Sequence, residues 1–260
     1  MKRIIILGSV VLLMGIVSSN AYAHYLWVNV DNYNPKTGEE ITISLGWGHH
    51  FPEDGSITVD KIERIYVISP GGKEIPLELK SQKEGGLVAP VKMKLDKPGT
   101  YLVVAEKKSG FVTKTTEGYK YQSKKELKGV INSYWSEGSA KAVISVEQAS
   151  GDSFQKAAKQ RYQVIPLDDP ATLKERDYLR VKVTLDNKPY STFVYATYAG
   201  FSSEKDTFAY TARADKEGIA KIKILKPGTW LIKASDKMPY PNTEDADLYS
   251  FTSVLTFGIK

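Results

Sequence analysis

The sequence predicts an all-β protein built as two antiparallel β-sandwich units in tandem, of immunoglobulin-like or carrier type. Three observations carry that prediction. Short runs alternate apolar and polar residues with the period of two that turns one strand face toward a core. Gly, Pro, Asn and Asp bound those runs. A Lys-Pro-Gly-Thr turn occurs twice, at Lys97–Thr100 and Lys226–Thr229, and each time leads into an aromatic-led strand, as a repeated structural unit would.

From the N-terminus, Lys2 and Arg3 precede a largely apolar run from Ile4 to Val17, and Ala21-Tyr22-Ala23 follows it. That is the order of a secretory signal peptide with its small-residue cleavage site. Residues 1–23 are therefore expected to be removed, leaving His24 first; retention as an N-terminal anchor is the alternative. The run of about 14 residues is short of the roughly 20 that cross a bilayer as a helix, so the mature chain is expected not to be an integral membrane protein. Cleavage removes two cations and no acid, so the formal charge of +6 falls by two to +4. The lysines are interspersed with Asp and Glu and form no dense basic tract, which argues against nucleic acid as a partner. With no cysteine, the fold has to be held by its core.

Strands are expected over Tyr25–Val30, Glu40–Trp47, Lys61–Ser69, Val91–Leu95 and Tyr101–Glu106, then over Tyr178–Leu185, Thr192–Tyr198, Thr207–Ala214, Ala220–Leu225, Trp230–Ala234 and Ser250–Ile259. Only Ser153–Arg161 has a weak helical pattern. The polar stretch from Lys107 to about Gln163 is too long for a structureless loop, so Ala140–Val146 and Arg161–Ile165 are expected to pair into the first sheet. Pro166 and Pro170 mark the joint, which gives an N-terminal unit over 24–165 and a C-terminal unit over 166–260.

The chain has three histidines, His24, His49 and His50, all close to the expected new N-terminus. A terminal histidine offers a metal both its α-amine and its Nδ1 in one chelate ring, and both nitrogens deprotonate readily near neutral pH. A third nitrogen would complete a T-shaped or square-planar site of the kind that suits Ni²⁺ or Cu²⁺. In a strand ending at Trp47, the alternation places His49 on the face of Ile41, Ile43 and Leu45, and His24 shares a face with Leu26 and Val28. His49 is thus the preferred partner of His24. His50 is an alternative ligand or a neighbour that supports the site, and Glu53 and Asp54 are expected to orient an imidazole or supply an oxygen. Tyr25, Trp27 and Trp47 read as core aromatics, and the acidic run Glu244, Asp245, Asp247 as solvated. No catalytic motif is present: Gly-x-Ser-x-Gly, His-Glu-x-x-His and a phosphate-binding glycine loop are all missing.

Several stretches together resemble the DUF4198 family: His24-Tyr-Leu-Trp-Val, the Gly48-His-His-Phe-Pro52 turn, Thr116-Glu-Gly-Tyr119, Ile165-Pro-Leu-Asp-Asp-Pro-Ala171, and Asp215-Lys-Glu-Gly218 through Gly228-Thr-Trp-Leu-Ile232. The resemblance implies an exported protein, of a kind often described as the periplasmic component of nickel or cobalt uptake systems, with a membrane transporter as partner. The family's turn histidine falls on His49. From residues and resemblance together the expectation is a non-enzymatic periplasmic binder of Ni²⁺ or Co²⁺, with Cu²⁺ as competitor. The alternatives are a secreted copper-binding protein or mono-oxygenase using the same terminal histidine, and a structural envelope protein without a metal.

Overall fold

A computed structural model describes residues 24–82, 85–147, 151–156 and 159–260; the expected signal peptide lies outside them. Three sheets stack in layers, and the all-β sandwich expectation holds. A small outer sheet consists of β1 (Tyr25–Val30), β2 (Glu40–Gly48) and β5 (Val91–Lys94), in the order β1-β2-β5. The large central sheet begins with β3 (Ile62–Ile68), β4 (Glu74–Leu77), β6 (Gly99–Thr115), β7 (Gly118–Lys120) and β8 (Val130–Val146). It continues through β12 (Phe193–Tyr198), β13 (Tyr210–Arg213), β15 (Gly228–Pro239) and β16 (Leu248–Ile259), in the order β13-β12-β15-β16-β8-β6-β3-β4 with β7 on β6. The second outer sheet holds β9 (Tyr162–Pro166), β10 (Tyr178–Leu185), β11 (Lys188–Pro189) and β14 (Ile219–Lys223).

Period-two alternation sends neighbouring residues of the central sheet into different cores. Val103, Ala105, Ala140, Ala142, Leu231 and Val254 pack under β1 and β2. Leu102, Val104, Val143, Trp230, Ile232 and Leu255 face the sheet of β9 and β10. Burial on both faces is why these strand segments read as nearly continuous apolar runs.

Both Lys-Pro-Gly-Thr turns form in the same way. Gly99 and Gly228 have φ of 116° and 126°, a region that favours glycine. The aromatic that follows each turn closes it: Tyr101 Oη donates to the Lys97 carbonyl (3.1 Å) and Trp230 Nε1 to the Lys226 carbonyl (3.0 Å).

The two expected units share one sheet. β8 and β16 run parallel from Leu248↔Tyr134 to Phe257↔Val143, and each core draws residues from both sides of the Pro166 joint. Arg161–Ile165, expected in the first sheet, instead contributes to β9, which pairs with β10 from Leu185↔Tyr162 to Val181↔Pro166. Of the expected helix over Ser153–Arg161, the described residues contain a 3₁₀ turn at Ser153–Gln155. The polar stretch after Lys107 largely extends β6 and β8 as the arms of a long hairpin. Asp245 and Asp247, read as solvated, are tied down: Asp245 accepts from Ser123 Oγ and Asn242, and Asp247 from the Ser133 amide and Lys124.

Candidate functional site

β1 and β2 pair antiparallel, with Tyr25 opposite Gly48, Leu26 opposite Trp47 and Val28 opposite Leu45. One step further along that register, His24 faces His49, and their ring centroids are 4.5 Å apart. His24 also stacks on Trp47, its cross-strand diagonal neighbour, at 5.7 Å and 13°. Two glycines make this end of β2 possible. A Cβ on Gly46 would overlap the Trp27 indole, and one on Gly48 would overlap the Asp54 carboxylate. The strand therefore keeps its register through both glycines, and the loop folds back tightly after it.

That loop is tied down at several points. The Pro52 carbonyl accepts from Trp27 Nε1 (3.2 Å) and Asn29 Nδ2 (2.9 Å). Asp54 Oδ2 accepts the backbone N–H groups of His49 (2.7 Å) and His50 (3.1 Å). Those bonds hold the Asp54 carboxyl below its usual range and make it a loop clamp rather than an orienter of either ring. Glu53 is exposed, and it is its carbonyl that engages the site, at 2.8 Å from His50 Nδ1.

A loop of the C-terminal half closes over the histidines. The Asp206 N–H donates to the His49 carbonyl (2.9 Å), and Asp206 Oδ2 lies 2.9 Å from His49 Nδ1. The other carboxylate oxygen of Asp206 is 3.5 Å from the ammonium of Lys233, itself 4.3 Å from the ring centre of Tyr25 and 4.7 Å from that of Phe208. Tyr25 Oη donates to the His49 carbonyl at 3.2 Å, so a residue read as core also touches the site. His50 turns the other way. Its Nε2 lies 3.0 Å from the Ser202 carbonyl and its Nδ1 faces Glu53, so it pins the two loops together. Two acceptors on one ring favour the doubly protonated form, and they raise the His50 pKa.

His24 shifts in the opposite sense. Burial lowers its pKa first and the neighbouring His49 lowers it further, with Asp54 opposing. A ring held toward its neutral form is a competent metal donor. Among the described residues, no three His, Asp or Glu side chains converge into a metal-holding group. The structure brings together two imidazoles, His24 and His49, and leaves His50, Glu53 and Asp54 in the loop framework. Sequence reading missed Asp206, Lys233 and Ser202. Ser-Ser-Glu-Lys-Asp at 202–206 carries no local signal except that of a polar turn.

The sequence matches the model of a domain of unknown function, DUF4198, over residues 21–237, well over half of the chain. No curated protein matches it. Among solved structures, the chain is similar to the ectodomain (Ig1–Ig3) of mouse nectin-like molecule 4, at 14% identity and a TM-score of 0.21. That alignment covers 89% of this chain and 63% of the other, less than two thirds of its length. The fibronectin(III)-like modules of Clostridium thermocellum CbhA align at 10% identity and a TM-score of 0.20, covering 89% of this chain and 94% of that one. Superposition scores this low carry no weight for function. Among the described residues no helix is long and apolar enough to cross a membrane. By the family match, the chain belongs to the DUF4198 family.

Proposed function

With membership of that family as the premise, we propose that this is an exported, non-enzymatic metal-binding protein. It is cleaved after Ala23, binds Ni²⁺ or Co²⁺ in the periplasm, and passes the ion to a membrane transporter. The observation that carries this reading is the facing pair of His24 and His49, 4.5 Å apart, with a carboxylate on Nδ1 of the second.

Two nitrogens that share an ion, each roughly 2 Å from it, lie within about 4 Å of one another, a span that rings at this separation allow. An Nδ1–H donated to Asp206 would orient the His49 ring and assign Nε2 the ligand role, the arrangement by which a carboxylate fixes the tautomer of a metal-bound imidazole. Lys233 in turn places its ammonium 3.5 Å from the other carboxylate oxygen of Asp206. Two imidazoles alone are an incomplete site, which fits the missing third side chain. In the precursor, the His24 nitrogen is an amide without an available lone pair. Signal-peptide removal converts it to an amine and supplies the third nitrogen. Such an all-nitrogen set would bind Cu²⁺ more tightly than Ni²⁺ or Co²⁺, so the choice of ion in the cell would rest on supply.

The test compares mature protein beginning at His24 with the same protein carrying one additional Gly before it. The extension leaves both imidazoles in place and removes the amine from its chelate ring. Isothermal titration with Ni²⁺ at pH 7.5 should show at least a roughly tenfold weaker Kd for the extended form, about 1.4 kcal/mol. Equal affinities would remove the amine from the site. Peroxide-dependent oxidation by the Cu²⁺-loaded protein would overturn the non-enzymatic reading.

A further inference from the structure

The face of the central sheet turned away from the histidines carries a polar cleft of about 360 Å³. Small-molecule sites span roughly 300–1,000 Å³. The cleft opens where two irregularities interrupt the ladder: β3 and β6 slip register between Ile62 and Arg64, and β6 and β8 between Lys107 and Gly110. Bulges re-aim side chains, and Glu63 and Lys107 both line this cleft.

Ser139 and Gln160 also line it, and their polar atoms are unmatched. Ser139 is 2% exposed, and among the described residues its Oγ has no hydrogen-bond partner; both side-chain polar atoms of Gln160 are likewise buried without one among those residues. An unmatched buried polar group is costly to leave dry, so three such atoms lining one concavity point to a ligand that supplies their partners.

The charges are unequally committed. Glu106 is held by Arg64 (2.6 Å) and Tyr66 Oη (3.2 Å), and Glu137 by Arg161 (3.3 Å) and Trp135 Nε1 (3.1 Å). Lys107 Nζ donates instead to the neutral Lys108 carbonyl at 2.9 Å, and it has no carboxylate within ion-pair distance among the described residues. Glu63 and Lys159, which also line the cleft, are exposed and opposite in charge, so the half-buried Lys107 is the uncommitted charge nearest the cleft interior.

Beside the cleft, four half-exposed aromatics form one surface: Phe111 against Trp135 (4.8 Å), Trp135 against Tyr240 (6.5 Å), and Tyr240 against Tyr249 (4.7 Å). Arg161 lies 5.1 Å over Tyr249, and Trp135 bonds Glu137; both charged residues line the cleft, so cleft and aromatic surface are continuous. Aromatic faces pack against the C–H faces of pyranose rings, while amides and hydroxyls take up the hydroxyls at the sugar's edge.

We propose that this is a saccharide-binding site for a short oligosaccharide that bears a carboxylate, such as one containing a uronic acid. A sugar ring stacks on Trp135 at the edge of the aromatic surface. Hydroxyls pair with Ser139 Oγ and the Gln160 amide, and the carboxylate pairs with Lys107. No bond is made or broken.

Calorimetric titration of the full mature chain tests this with three probes: digalacturonate, a glucuronate-containing disaccharide and the neutral disaccharide cellobiose. At least one acidic probe should bind saturably, at least roughly tenfold more tightly than cellobiose. Lys107→Gln should erase that preference, and Trp135→Ala should abolish binding of all three, with circular dichroism reporting that each variant is folded. Gln160→Ala, at a half-exposed position, provides a second loss-of-binding variant if Trp135→Ala misfolds. Absence of saturation by every probe at concentrations on the order of 10 mM would overturn the proposal. So would acidic-probe binding that survives both Lys107→Gln and Gln160→Ala.

Discussion

Two lysines are buried in the central sheet, one on each face, and they are held in different ways. Lys233 of β15 is 9% exposed and lies beside the Asp206 carboxylate in a box of aromatic rings. Lys141 of β8 is 1% exposed, and its ammonium donates to neutral acceptors, Gln163 Oε1 at 2.8 Å and the Val164 carbonyl at 3.4 Å. Burial lowers both pKa values. For Lys233 the carboxylate opposes the fall, whereas Lys141 drops to about 7. A buried cation is less costly where an anion shares its site. The lysine with such an anion is the one that neighbours Asp206 across from His49.

The sharpest way to break the contrast is Lys233→Met. It leaves Asp206, whose side chain is 7% exposed, without its cation in a nearly dry setting. Removing one partner of a buried pair costs about 3–5 kcal/mol, and urea denaturation at pH 7 should show a loss of that order. Adding Asp206→Asn removes the stranded anion and should recover part of it. A single-variant loss below about 1 kcal/mol would mean that Asp206 does not depend on Lys233.

Lys141→Met should go the other way. Replacing a buried charge with an apolar side chain of similar length should stabilise by about 1–3 kcal/mol near pH 7. The sign with pH follows from the proton count. Between a folded pKa of about 7 and the ordinary 10.5, the unfolded chain holds a proton that the native chain has released, so native stability rises with pH across that window. Below about 7 both states are protonated and the penalty is constant. The variant should lack the rise, and chemical denaturation at pH 7 and pH 9.5 measures it. An identical rise in both proteins would mean that Lys141 is not its source.

Neither lysine was legible as buried. Lys141 lies within Ala140–Val146, which the sequence places in a strand, but period-two alternation alone does not show that a lysine enters the core, where Gln163 and the Val164 carbonyl receive it. The two Lys-Pro-Gly-Thr turns were legible because turn chemistry is local. The facing of His24 and His49 was legible for a similar reason: it needs only the pleat and one register. Asp206 enters the site through a loop more than 150 residues away in sequence, and β16 joins β8 by a parallel pairing that no local pattern announces. The His site therefore appeared in the sequence as a pair of rings without the carboxylate that holds one of them.

The same contrast recurs between the adjacent histidines, and it yields the smallest effects. His49, like Lys233, faces Asp206; His50, like Lys141, faces neutral carbonyls. His49→Ala should weaken Ni²⁺ binding by the mature chain by more than about tenfold, whereas His50→Ala should cost less than that. His50 should act on the loops instead. Its pKa is raised because the Glu53 and Ser202 carbonyls both favour the imidazolium. A raised folded pKa gives stability that is fully present below the unfolded value of 6.5 and is lost as pH rises through the folded pKa. Comparing His50→Ala with the parent at pH 5.5 and pH 8.5 should thus show a destabilisation at the lower pH that shrinks at the higher one, within about 1 kcal/mol because the ring is only partly buried and solvent screens its charge. If His50→Ala removed Ni²⁺ binding as completely as His49→Ala does, the ring that bridges the loops would have to be a ligand, and the division of labour between the two histidines would fail.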